Sequence, residues 1–80
     1  MTFYDKNSRE LQMFDIIDLH QTVNGQNKFM VRSLIPLVLV YWEDRKRVYE
    51  YNAFELLLPD KYDSISSFEI VGNIREVANY

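Results

Sequence analysis

Cysteine is absent from the 80-residue chain, which excludes a disulfide framework, a thiolate metal site and a thiol nucleophile in one step. Such a chain suits a reducing compartment, so a cytoplasmic location is the expectation. Glycine and proline occur only twice each. There is no G-x-G-x-x-G, no Walker loop and no H-E-x-x-H, and a glycine-rich backbone cradle for phosphate has too little glycine to form. The single histidine, His20, rules out a His-rich metal site and leaves a Ser-His-Asp arrangement only one base to use. Long apolar runs are missing too. The longest, Leu37 to Trp42, falls far short of the roughly 20 residues a membrane-spanning helix needs, and no basic segment followed by an apolar stretch opens the chain. Neither a signal peptide nor a membrane anchor is expected.

What is present describes a folding chain. Apolar residues make up 48%, aromatics 15% and charged residues 26%, a composition that can bury a core. No linker, low-complexity tract or repeat divides it, so residues 1–80 are expected to form one domain. A chain this short buries only roughly 60% of the surface it exposes when unfolded; its core is thin, and self-association is an ordinary remedy. Net charge is −3, with four positive and four negative residues in 1–40 but five and eight in 41–80. That balance argues against a duplex-DNA binder driven by phosphate neutralisation.

The patterning is that of strands. Asp5-Lys6-Asn7-Ser8 reads as a turn between Thr2-Phe3-Tyr4 and the next apolar stretch. Leu11 to Leu19 spreads its apolar residues around a helical wheel instead of forming a stripe, so a strand is preferred over a helix. Its alternation changes phase at Met13/Phe14 and again at Ile16/Ile17, which requires a bulge or sharp twist. Asn24-Gly25 tolerates the positive φ of a type I′ turn and closes a hairpin. Beyond it lie Lys28 to Arg32, then Leu37 to Trp42 as a strand buried on both faces. The solvated tip Glu43-Asp44-Arg45-Lys46-Arg47 leads to a strand over Val48 to Tyr51. Asn52-Ala53-Phe54-Glu55 reads either as a capping box opening one helical turn that Pro59 stops, or as continued strand. A closing strand runs from Phe68 to Ile74 with Phe68, Ile70, Gly72 and Ile74 on one face, Gly72 marking a bulge or a close backbone contact. The fold class expected is all-β, with at most one short helical turn: a small SH3-like or bent-sheet β-barrel of five to six strands.

No catalytic residue, metal ligand or cofactor site is assigned. His20 beside Asp18 could act as a carboxylate-oriented base, but no nucleophile is marked, and a strand-end histidine before the Asn-Gly turn explains it. Glu10, Asp15 and Asp18 could offer oxygen ligands to a divalent cation, yet their spacing matches no calcium loop, and solvated charges explain them. The candidate partner-binding residues are Trp42, Glu43, Asp44, Arg45, Lys46, Arg47, Tyr49 and Tyr51. Cations beside aromatics suit either a protein interface or single-stranded nucleic acid.

Both ends of the chain resemble the YopX family of phage and prophage proteins. Phe3-Tyr4-Asp5-Lys6 with Arg9-Glu10-Leu11 stands where that family opens with a strand-turn-strand. Phe68-Glu69-Ile70-Val71-Gly72-Asn73-Ile74-Arg75-Glu76 stands where it closes with an I-x-G-N-I strand followed by Glu. Val38 to Trp42 and Tyr51 to Leu58 resemble its penultimate strand pair. The sequence departs from the pattern at Tyr4, usually Trp, and at Arg75, usually Tyr, and it lacks the family's middle segment. The resemblance implies a β-barrel-like fold from a mobile element, with no catalytic motif to carry over. The expected function is a non-catalytic phage-type binding protein that modulates a host or phage macromolecule by protein contact, as a host-takeover or anti-defence protein would. An acidic array of Glu43, Asp44, Glu50, Glu55, Asp60 and Asp63 mimicking nucleic acid is one version of it. A single-stranded nucleic-acid-binding barrel and a structural homo-oligomer are the alternatives.

Overall fold

A computed structural model describes residues 2–50, 52–59 and 66–76. Three strands follow one another as a meander: β1 (Asp15–Val23), β2 (Gln26–Leu34) and β3 (Leu37–Tyr41). A short helix α1 (Ala53–Leu57) comes next, then β4 (Glu69–Asn73) and a 3-10 turn at Ile74–Glu76. The sheet is antiparallel with order β3-β2-β1-β4, so β4 returns past the meander to pair with β1. The all-β class with one short helix is thus observed.

Local chemistry fixes the turns. Asn24 and Gly25 take φ of 52° and 80°, the left-handed pair that a type I′ hairpin between β1 and β2 demands. Ile35-Pro36, with a cis peptide bond, joins β2 to β3. The turn at Asp5–Ser8 closes through the Ser8 N–H on the Asp5 carbonyl at 2.9 Å. Its arms meet in a single Tyr4–Glu10 bridge.

Both faces of the sheet carry apolar side chains. Ile17, Leu19, Phe29, Val31, Leu39, Tyr41, Phe68 and Ile70 pack on one side with Phe3, Leu11, Ala53 and Leu57 covering them. Met30, Val40 and Ile74 form a smaller buried group on the other, against Phe14, Trp42 and Val48. The phase changes in residues 11–19 have visible causes. Phe14 has φ 68°, which turns its ring to the smaller group; Ile16 and Ile17 face opposite sides of a sheet that is apolar on both, and the bulge of the β1/β4 register lies in β4 and not in β1.

Among the described residues four strands form instead of five or six, and their sheet is open, with β3 and β4 at its edges. The two missing strands are reduced to isolated bridges, Tyr4–Glu10 and Val40–Val48, because each segment is cut short by a turn or by α1 before a ladder can extend. Leu37 to Tyr41 therefore lies at an edge, although Leu39, Val40 and Tyr41 are consecutively buried, as a strand covered on both faces should be. Phe68 and Ile70 do not share a face with Ile74. The register puts Gly72 opposite Ile16 and Ile70 opposite Ile17, and the extra residue, Val71, sends Ile74 to the other side. A Cβ at Gly72 would meet only the Ile16 Cδ1 at 3.7 Å, an ordinary contact, so the bulge does not demand glycine. The helix forms without the expected cap: the Asn52 side chain makes no capping bond. Burial of Ala53 and Leu57 holds it instead, and Ser66 Oγ donates to the Leu57 carbonyl at 2.9 Å, satisfying a helix-end acceptor. Pro59 keeps Leu58 extended, and the helix stops.

One carboxylate ties the first ten residues to the last strand. Asp5 is 2% exposed; its Oδ1 accepts the N–H groups of Asn7 and Arg9 at 2.9 and 2.8 Å, and its Oδ2 accepts that of Ile70 at 2.9 Å. Arg9 completes the joint, its Nη2 donating to the Ile70 carbonyl at 2.6 Å. Burial pushes the Asp5 carboxyl up, but the three N–H donors and the Arg9 charge outweigh it and hold the group below its ordinary 3.8.

Replacing Asp5 with Asn turns an amide donor toward backbone donors, and the expected loss is about 2–3 kcal/mol by chemical denaturation. A carboxyl depressed in the folded state stabilises above its unfolded pKa and loses that contribution as pH falls through the folded one. The wild-type margin over Asp5→Asn should therefore be full at neutral pH and shrink as the pH falls below about 4. Gly25→Ala meets no atom within 4 Å, so it should cost only backbone strain, about 1 kcal/mol, read as a shift in denaturation midpoint.

Candidate functional site

The tip between Tyr41 and Val48 is built by its own polar side chains. The Arg47 N–H reaches the Asp44 carbonyl at 2.9 Å and the Lys46 N–H reaches Asp44 Oδ1 at 3.3 Å, an Asx-type closure of a short loop. The segment then returns along β3: Tyr41 N–H donates to the Arg47 carbonyl and Tyr49 N–H to the Leu39 carbonyl, at 3.0 and 2.9 Å. Glu43, Asp44, Arg45, Lys46 and Arg47 are all exposed, so the tip is solvated as the sequence predicts.

Its two arginines are held by aromatic rings. The Arg45 guanidinium lies 4.2 Å from the centroid of Trp42, and that of Arg47 lies 4.6 Å from the centroid of Tyr41. A guanidinium over a ring is oriented by the ring quadrupole and still presents its N–H fork outward. Trp42 is half-buried over the smaller apolar group, whereas Tyr41 is buried in the main core, its hydroxyl accepting Asn24 Nδ2 at 2.9 Å. The tip thus brings together Trp42, Arg45 and Arg47, with Glu43, Asp44 and Lys46 between them. Tyr49 is directed elsewhere: it packs against the main core, edge-on to Phe29 at 6.0 Å and 6.5 Å from Tyr41. Tyr51 lies outside the described residues. Of the suggested acidic array, Glu43, Asp44, Glu50 and Glu55 are exposed, and Asp60 and Asp63 lie outside the described residues.

His20 sits inside β1 at φ 56°, at the irregular stretch of the β1/β2 register. Its Nε2 is 3.0 Å from Glu69 Oε1 and its Nδ1 is 4.0 Å from Asp18 Oδ1. Both ring nitrogens face carboxylates, an arrangement that offers no nitrogen to a hydroxyl nucleophile. Glu69 is held below the ordinary range chiefly by that His20 hydrogen bond, which works against burial, and the Lys6 ammonium 3.4 Å away lowers it further. Asp18 is depressed by the His20 backbone N–H and by Asn27.

Asp15 departs from the solvated role expected of it: it is 6% exposed, its Oδ2 accepting Gln12 N–H at 2.7 Å and its Oδ1 accepting Asn73 Nδ2 at 2.9 Å. Among the described residues no group of three or more His, Asp or Glu is placed to hold a metal ion. A groove of about 540 Å³ runs beside β4, but Arg9, Asp15 and Asn73 on its wall are already bonded within the protein.

Three cations escaped the sequence reading. Lys28, Arg32 and Arg75 are exposed, and Arg75 lies 5.3 Å over Phe14, a contact between residues 61 positions apart that no local pattern signals. The structure therefore defines a small all-β protein with aromatic-backed arginines on its surface and no helix, among the described residues, long and apolar enough to cross a membrane. Compared with known proteins, the chain matches no family model, no curated protein and no solved structure; the YopX resemblance rests on the residues quoted for it.

Replacing His20 with Ala should raise the Glu69 carboxyl toward its ordinary value, since the largest depressing contact is removed. A carboxylate titration followed by NMR reads this directly, and an unchanged Glu69 would refute the pairing.

Proposed function

We propose that the chain is a cytoplasmic, non-catalytic binding protein of phage or prophage type that modulates a host or phage macromolecule through protein contact. The observation that carries this reading is the tip, where Arg45 and Arg47 are each fixed on an aromatic ring. Arginine and tryptophan are the residues on which interface energy concentrates, and a pre-positioned side chain loses less freedom when a partner binds. Among the described residues, the exposed His20–Glu69 pair and the internally bonded carboxylates supply no constellation of nucleophile, base and orienting group.

Single-stranded nucleic acid is the second reading, favoured by the same cations. It is weakened by Tyr49, which packs against Phe29 where a base-stacking platform would need an open ring. The phage context comes from the resemblance at both chain ends and is an analogy of context.

The tagged protein should capture a stoichiometric protein from bacterial lysate, with or without nuclease, and an Arg45→Ala/Arg47→Ala variant should lose roughly tenfold or more of that capture. Recovery of nucleic acid that nuclease abolishes would establish the second reading. A self-assembled species by light scattering with no partner would leave the structural oligomer in its place.

A further inference from the structure

The face of the sheet opposite the main core has a layout of its own. The register sets Ile16, Met30 and Val40 in a row, and Val48 extends it by bridging Val40. Ile74 completes the buried layer, and half-buried Phe14, Trp42 and Val48 pack against it. Arginines stand at its two ends: Arg75 over Phe14 at 5.3 Å and Arg45 over Trp42 at 4.2 Å. Strand alternation puts Lys28 on the Met30 side of β2, and Arg32 is the extra residue of the β2/β3 bulge between Val31 and Ser33.

The charges on this face are unevenly satisfied. Two of its acids are engaged: Asp18 accepts the His20 N–H and Asn27 Nδ2 and stands across from Lys28, while Glu69 takes His20 and Lys6; exposed Glu43 and Glu76 adjoin Trp42 and Arg75 in sequence but form no ion pair among the described residues. Arg32, Arg45 and Arg75 form no ion pair among the described residues. Two guanidiniums flanking one aromatic and apolar cluster complement carboxylates set beside apolar side chains.

We propose that this face docks an acidic protein segment, with its apolar residues set against Phe14 and Trp42 and its carboxylates on Arg45 and Arg75. The inference rests on the protein-contact reading and names the chemistry of the partner. Nucleic acid fits the same cations less well. Each ring is covered on one side by its guanidinium and packs on the buried cluster, which leaves no open ring face on which a base could stack.

The test uses the full chain and three fluorescein-labelled probes: an alternating Glu-Leu peptide, its Lys-Leu counterpart and oligothymidylate. Trp42 is the sole tryptophan, so its emission reports docking independently of probe anisotropy. The Glu-Leu peptide should bind, weaken roughly tenfold between about 50 and about 500 mM salt, and weaken by about tenfold in Arg45→Gln/Arg75→Gln. Thr2→Glu/Gln21→Glu makes the same change in net charge at exposed positions outside the cluster and should move affinity less than about twofold. Circular dichroism confirms folding of each variant, with Arg45→Lys/Arg75→Lys as the milder pair should the glutamines unfold it. No binding of the Glu-Leu peptide at about 1 mM, equal binding of the Lys-Leu peptide, tighter binding of oligothymidylate, or equal losses in the two double variants would overturn the proposal. Should lysate capture persist while the peptide fails, protein contact stands and the acidic-segment docking falls.

Discussion

The buried carboxylate of Asp5 is the constraint on which the two ends of the chain depend. It accepts two N–H groups from its own turn and one from Ile70, so a local turn and a contact 65 residues distant share one side chain. A buried charge is tolerable only when its lone pairs are filled, and here the backbone of β4 fills the last of them. Phe3 and Leu11 are thereby delivered onto the main core, covering a sheet that a thin 80-residue chain could not otherwise shield. Removing the carboxylate would loosen the cover and the edge strand together.

A second consequence follows from the bulge at Val71. Without it, Ile74 would join Phe68 and Ile70 over the main core; with it, Ile74 crosses to Met30 and Val40. One extra residue thus furnishes the opposite face with an apolar anchor, and the 3-10 turn beginning at Ile74 brings Arg75 over Phe14. The same local irregularity that bends β4 is what gives the second face its composition.

The features legible in the sequence were those with local causes. Asn24-Gly25 encodes its turn because few other pairs accept two positive φ angles, and the phase slip at Phe14 was readable because alternation is a strict period of two; the apparent slip at Ile16/Ile17 is no slip in β1 but the mark of a sheet buried on both faces. The exposed tip followed from a run of five charged residues. Gly72 signalled a bulge in the closing strand, but nothing marked its neighbour Val71 as the extra residue, so the side of Ile74 was not readable. Asp5 was hidden for another reason: aspartate in a turn is most often solvated, and only the return of Ile70 from the far end of the chain makes it buried. Trp42, Arg45 and Arg47 were legible as a cluster, but the ring that holds Arg47 was not, since Tyr49, the neighbour in sequence, turns inward and Tyr41 takes its place.

The outer edges of the sheet bear on how this protein behaves at high concentration. At β4, the Ile70 amide and carbonyl are taken by Asp5 and Arg9, and the Phe68 carbonyl by Lys6; at β3, the Leu39 carbonyl and Tyr41 amide are taken by the returning segment. An open four-stranded sheet would otherwise present two templates for strand-by-strand polymerisation. Here each rim is dressed by a neighbouring stretch that carries charged side chains, so fibrillar stacking is blocked at these positions by the same short segments that failed to become strands.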